Sequence, residues 1–165
     1  MNANTFKLSA LEELVGHRFR DPDVLRQALT HASLKRSSWN VYERLEFLGD
    51  RVLGLVISET LLKRFPDERE GQISRRYAKL VRRDSLAVVA RKIKFGDYVL
   101  ISAGEEAAGA RESITILSDA LEAVIGALYS DGGLEVAKRF ILEHWEPLLE
   151  LDEDPPVDSK TALQE

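Results

Sequence analysis

The chain contains no cysteine, which rules out both a disulfide framework and a thiolate metal site. Its three histidines, His17, His31 and His144, lie far apart, so a structural zinc finds no ready ligand group. Long apolar runs are missing too: no stretch approaches the ~20 consecutive apolar residues that a membrane-spanning helix needs. The opening MNANTFKLSALEEL lacks the basic region and apolar core of a secretory signal. The expectation is a soluble cytoplasmic protein, without a membrane partner or a small-molecule cofactor. Positive charge is not in excess either. At a net charge of −5, bulk attraction cannot hold nucleic acid, and only a local basic surface could.

Helix signals are abundant. Ser9-Ala10-Leu11-Glu12 has the capping-box pattern of a helix start. Asp21-Pro22 opens a second helix, because an aspartate cap followed by proline suits a first turn. After a polar segment, Lys35 to Asn40, a long helix is predicted from Tyr42 to Arg64, ended by Phe65-Pro66. Further helices are expected over Gln72 to Val81 and, capped by Asp84-Ser85, up to Lys92. Tyr98 to Ile101 reads as a short extended or irregular piece, and Ser102 to Arg111, rich in glycine, alanine and glutamate, as a mobile loop. An almost wholly apolar helix follows from Ile114 to Tyr129, closed by Asp131-Gly132-Gly133, and then a last amphipathic helix to about Trp145. Residues 151–157 turn to acid and proline, as a linker does. The fold class is all-α.

Charge on the apolar helix is confined to Asp119 and Glu122, three residues apart and therefore on one face. A carboxylate in apolar surroundings must be paired, hydrogen-bonded, metal-bound or protonated. Ala123 and Gly126 share that arc, so another helix could approach it closely. In the long helix Glu43, Glu46 and Asp50 lie on one arc, opposite an apolar face of Leu45, Leu48, Val52, Leu55 and Val56. If the two acid-bearing faces meet, up to five carboxylates converge, repelling by about 4 kcal/mol per close pair at a surface-like dielectric. A hard divalent cation relieves that. Oxygen-only donors select Mg²⁺, with Mn²⁺ as substitute, over zinc, and such an ion suits phosphoryl chemistry. Two alternatives stand beside this. The acids could form a solvated face or salt bridges in a helical interaction protein; a di-iron bundle would need Glu-x-x-His pairs, and Leu14, Ala28 and Ile141 stand three before the histidines.

Arg75, Arg76, Lys79, Arg82 and Arg83 fall on one side of a predicted helix, with Tyr77, Leu80 and Val81 on the other. This is either a solvated face or a stripe for RNA phosphates beside the acids.

Glu43-Arg44-Leu45-Glu46-Phe47-Leu48-Gly49-Asp50 resembles the signature helix of the ribonuclease III family, and Leu117-Ser118-Asp119-Ala120-Leu121-Glu122-Ala123 resembles its second acidic motif. The resemblance runs from about Leu8 to Leu149. It implies the helical endonuclease-domain fold over 1–150, acting as a homodimer that cuts both strands of double-stranded RNA with Mg²⁺. The expected products carry 5′-phosphates, 3′-hydroxyls and a short 3′ overhang, in the processing of ribosomal, messenger and small RNA. It further implies metal ligation by Glu46, Asp119 and Glu122, and Asp50 with Glu122 as the catalytic pair. Glu43 and Glu70 would line the RNA cleft, and Phe47 would enter a pocket of the partner; simple core packing is the other reading of Phe47. Two residues depart from the family's usual pattern: Tyr42 stands where a polar residue is common, and Arg51 where a small one is. Residues 158–165 resemble the start of a double-stranded RNA-binding domain, here cut short. A non-cleaving RNA-binding or assembly module of the same fold is the alternative function, in which the acids would normally be eroded.

Overall fold

The structure is a computed structural model that describes residues 3–34 and 41–151. The polar segment expected at Lys35 to Asn40, and nearly all of the expected linker and domain start, lie outside them. Among the described residues there are eight α-helices: α1 (Ala3–Val15), α2 (Pro22–Leu29), α3 (Val41–Arg64), α4 (Glu70–Val81), α5 (Arg83–Lys92), α6 (Ala103–Ala107), α7 (Ile114–Gly132) and α8 (Leu134–Glu150). Short 3₁₀ turns cover Ala32–Leu34, Phe95–Tyr98 and Ala110–Glu112. Among the described residues the one β-bridge is parallel, between Thr30 and Leu100. No helix among the described residues is long and apolar enough to cross a membrane.

The apolar α7 is the axis of the molecule. Alanine and leucine favour its helix, the Ser113 hydroxyl accepts from the Ile116 amide at its start, and Gly133 ends it at φ 82° and ψ −178°, a conformation open to glycine because it has no Cβ. Ala120, Leu121, Ala123, Val124, Ile125, Ala127 and Leu128 are fully buried, because α2, α3, α5 and α8 pack around this helix. Its far end is tied down by Asp131. That buried carboxylate pairs with His17 Nε2 at 2.7 Å and accepts from the Arg20 and Asp21 amides, while the Arg20 guanidinium donates to the Asp131 carbonyl. Burial alone would raise the Asp131 pKa, but the hydrogen bonds from His17, Arg20 and Asp21 and the Arg20 charge outweigh it and hold the group below the usual carboxylate range.

The long α3 crosses α7 at the closest approach helices allow. A methyl added to Gly49 would overlap the Glu122 carbonyl, and one added to Gly126 would overlap the Leu45 carbonyl. Glycine is required at both for steric reasons. The sequence anticipates Gly126 in this role but not its counterpart Gly49.

Several expectations are corrected. α1 already runs through Ser9, and the Glu12 carboxylate accepts from the Phe19 amide beyond the helix end, not from a box at its start. Asp84-Ser85 is not the cap of α5: Arg82 occupies that position, and the Ser85 hydroxyl reaches back to the Lys79 carbonyl. Ser102 to Arg111 is structured, with the Ser102 hydroxyl capping α6 and Arg111 donating to the carbonyls of Gly96 and Val99 at 2.7 and 2.8 Å. Leu55 is exposed rather than part of the apolar face of α3. α8 continues past Trp145, whose indole N–H donates to the Leu80 carbonyl, to Glu150.

Candidate metal centre and its surroundings

The close crossing sets the site. With Gly49 against the backbone of Glu122, the carboxyl of Glu46 one turn earlier in α3 is brought to the acid face of α7. Oxygens of Glu46, Asp119 and Glu122 lie within 4.8 Å of one another, and all three side chains are partly buried. Burial and charge crowding together shift Glu122 and Glu46. Glu122 is pushed up to about 8, first by burial and then by the charges of Asp50, Glu46 and Asp119. Glu46 is raised by burial and next by Asp119.

Donor chemistry and spacing both fit a hard divalent cation. Oxygen ligands at ~2.1 Å around Mg²⁺ stand about 3 to 4.2 Å apart in an octahedron, so a set that already lies within 4.8 Å has to draw in by no more than about 2 Å per pair to hold the ion. No histidine belongs to this set.

The remaining predicted residues fall into separate places. Asp50 is outside the three-oxygen set but near enough to be the largest charge acting on Glu122. Its carboxylate accepts from Arg51, and the Arg51 guanidinium also lies 4.8 Å from the centre of the Phe47 ring. Arg51, a departure from the family's usual small residue, thus links the acid site to an aromatic on the surface. Glu43 is exposed and adds to the field on Glu46. Glu70 is exposed in the first turn of α4, where it accepts from Ser74 Oγ at 2.7 Å; it is not part of the carboxylate set. Phe47 is 63% exposed, which removes the core-packing reading. It borders a cavity of about 710 Å³ lined also by Val41, Glu43, Arg44, Leu45, Leu48 and Ser130.

The basic stripe is not one surface. Arg76 is fully buried: its guanidinium donates from Nε and Nη2 to the Glu68 carboxylate at 2.8 and 2.7 Å, and lies 3.9 Å from the centre of the Phe65 ring. Helical period counts faces but does not say which face the core covers, and on α4 it covers Arg76 with Leu80. Arg75 and Lys79 are exposed on α4. The helix ends at Val81, so Arg82 lies in the connection and Arg83 opens α5. Arg83 points at the acids, 3.6 Å from Asp119.

Tyr42, which departs from the polar residue common at its position, is buried beside the cluster. Its phenol is pushed above its ordinary range, by burial first and then by Asp119, Glu46 and Glu122, so it stays neutral and faces the acids as a hydroxyl. A signal existed in the sequence: Tyr42 stands one helical turn before Glu46.

The profile of the Ribonuclease-III-like family matches residues 21–148, spanning both acidic motifs. The chain belongs to the ribonuclease III family. With membership comes the activity class of an endoribonuclease. Ribonuclease 3 of Anaplasma phagocytophilum is 45% identical over all of this chain and 68% of its own length. That of Dinoroseobacter shibae is 46% identical over 96% of this chain and 69% of its own. Among solved structures, the nuclease domain of ribonuclease III from Campylobacter jejuni is similar over 95% of this chain and 100% of its own, with a TM-score of 0.79 and 42% identity. A second structure of that domain, described as flexible in the region involved in dimer formation, gives 0.76 and 44% over 85% and 97%. Dicer from Pichia stipitis, at 0.61 and 24% identity over 80% of this chain and 57% of its own, shares the fold alone.

Proposed function

We propose that this ribonuclease III domain hydrolyses both strands of double-stranded RNA with Mg²⁺, or Mn²⁺ in its place, leaving 5′-phosphate and 3′-hydroxyl ends with a short 3′ overhang. The observation that carries the reading is the convergence of Glu46 from α3 with Asp119 and Glu122 from α7 within 4.8 Å. These three residues would hold the ion. When bound, it supplies a water of lowered pKa and neutralises charge on the leaving oxygen. Asp50, whose charge acts on Glu122, adds a carboxylate that can accept or return a proton during attack. Exposed Arg75, Lys79, Arg82 and Arg83 lie on the neighbouring α4–α5 segment, where they can meet backbone phosphates, and on this reading the exposed Glu43 and Glu70 would line the RNA cleft. Ribosomal, messenger and small RNA precursors in the cytoplasm are the substrates this reading implies.

Two copies would act together. An exposed phenylalanine beside a mainly apolar cavity suits a two-fold contact in which each Phe47 enters the partner's cavity. The Campylobacter jejuni nuclease domain, with its region of dimer formation, supports two copies acting together. The test is a long RNA duplex incubated with the chain with and without Mg²⁺. Cleavage is expected only with the ion and is expected to vanish in Glu122→Ala, while circular dichroism keeps its helical signal. Full activity in that variant would remove Glu122 from the mechanism.

A further inference from the structure

Arg83 is a cation that the fold brings to the carboxylates of α7. It is the first residue of α5, after Arg82 in extended conformation at φ −71° and ψ 156°. Because α5 packs on α7, its first residue comes beside Asp119, one turn into that helix. The guanidinium is 3.6 Å from Asp119, and its field reaches Glu46 and Glu122 as well, opposing the rise of both. The two partners differ in exposure: the Arg83 side chain is 63% exposed, that of Asp119 only 20%. The pair is therefore loose at its cationic end. A separation beyond good hydrogen-bond length in a hydrated setting contributes little stability, so a stronger cation can displace the guanidinium at small cost.

We propose that Arg83 is a positioning residue that exchanges partners: counter-ion of Asp119 before the divalent ion arrives, and ligand of an RNA backbone phosphate once the ion has taken Asp119. The exchange accounts for a basic side chain pointing into a cation site, where a fixed positive charge would only repel the metal. A flexible arginine stem leaves the carboxylates when their charge is neutralised, and its planar fork suits a phosphate. The inference rests on Glu46, Asp119 and Glu122 being a metal site.

The test compares the whole chain with Arg83→Gln and Arg83→Lys. Calorimetric titration with Mn²⁺, without RNA, is expected to show Arg83→Gln binding roughly two- to tenfold tighter, since one competing charge is gone. With a defined RNA duplex and Mg²⁺, the same variant is expected to raise KM about three- to tenfold, to change kcat less, and to lower the salt slope by about one phosphate contact. Arg83→Lys should return both quantities toward the parent. A merely structural arginine would weaken both functions or neither, so tighter metal with weaker RNA is the deciding pattern. Unchanged or weaker Mn²⁺ binding in Arg83→Gln, or an unchanged KM, overturns the proposal while leaving the metal site standing. Absence of Mn²⁺ binding in the parent chain overturns both.

Discussion

At the scale of single residues, the Glu122 carboxyl reverses the usual sense of acid stability. An unfolded glutamate ionises near ~4.3, whereas Glu122 in the metal-free fold holds its proton up to about 8. Between those values the folded protein carries a proton that the unfolded chain has released, so folded stability falls as pH rises through the window, and this contribution is gone above about 8. Glu46 is shifted in the same direction. In EDTA the Tm is therefore expected to drop from about pH 5 to about pH 8, and Glu122→Gln is expected to flatten that slope. Mn²⁺ should restore stability at the upper end by binding the ionised folded form. An identical slope in parent and variant would show that Glu122 is not the group responsible. Arg76 marks the limit of reading charge from sequence: its positive end is spent on Glu68 and Phe65 inside the fold, and a pattern of basic residues contains no information about that burial.

At the scale of elements, the acid-bearing helices were readable because they break a rule locally. Two charges in an otherwise apolar stretch such as Ile114 to Tyr129 demand a reason, and Ala123 and Gly126 on the same arc point to where a partner helix comes. α2 was readable from Asp21-Pro22, since the Asp21 side chain accepts from the Asp23 amide within the same turn. α6 was missed although Ser102, with Glu105 three residues on, is a local helix-start pattern and its hydroxyl accepts from the Glu105 amide; what spacing could not show is that Arg111 secures the region through the carbonyls of Gly96 and Val99. Arg83's approach to Asp119 likewise depends on how α5 packs on α7, and no local spacing encodes it. The crossing itself can be tested. Gly126→Ala, which forces α3 and α7 apart, is expected to cost about 1–3 kcal/mol by urea denaturation and to weaken Mn²⁺ binding, since Glu46 sits on one helix and Glu122 on the other. Gly71→Ala is the control, because its added methyl meets open space. Equal midpoints for the two variants would contradict the tight crossing.

At the scale of the whole molecule, the surface feature that calls for an explanation is Phe47, an exposed aromatic on the helix that carries Glu46 and Asp50. Phe47→Ala is expected to shift sedimentation from dimer to monomer at micromolar concentration, with the helical signal of the isolated chain retained. A parent chain that sediments as a monomer would sink the two-fold assembly. Arg51, beside the Phe47 ring and bonded to Asp50, ties that surface to the carboxylates within one helical turn.

The contact of Gly49 with Glu122, and of Gly126 with Leu45, has a kinetic consequence. Where two backbones touch with no side chain between them, neither helix can fray by itself without opening the centre of the domain. Amide protons from Leu45 to Gly49 and from Glu122 to Gly126 should consequently trade with deuterium together, at the pace of complete unfolding, and the residues that grip the ion would be among the last parts of the chain to let go of their shape.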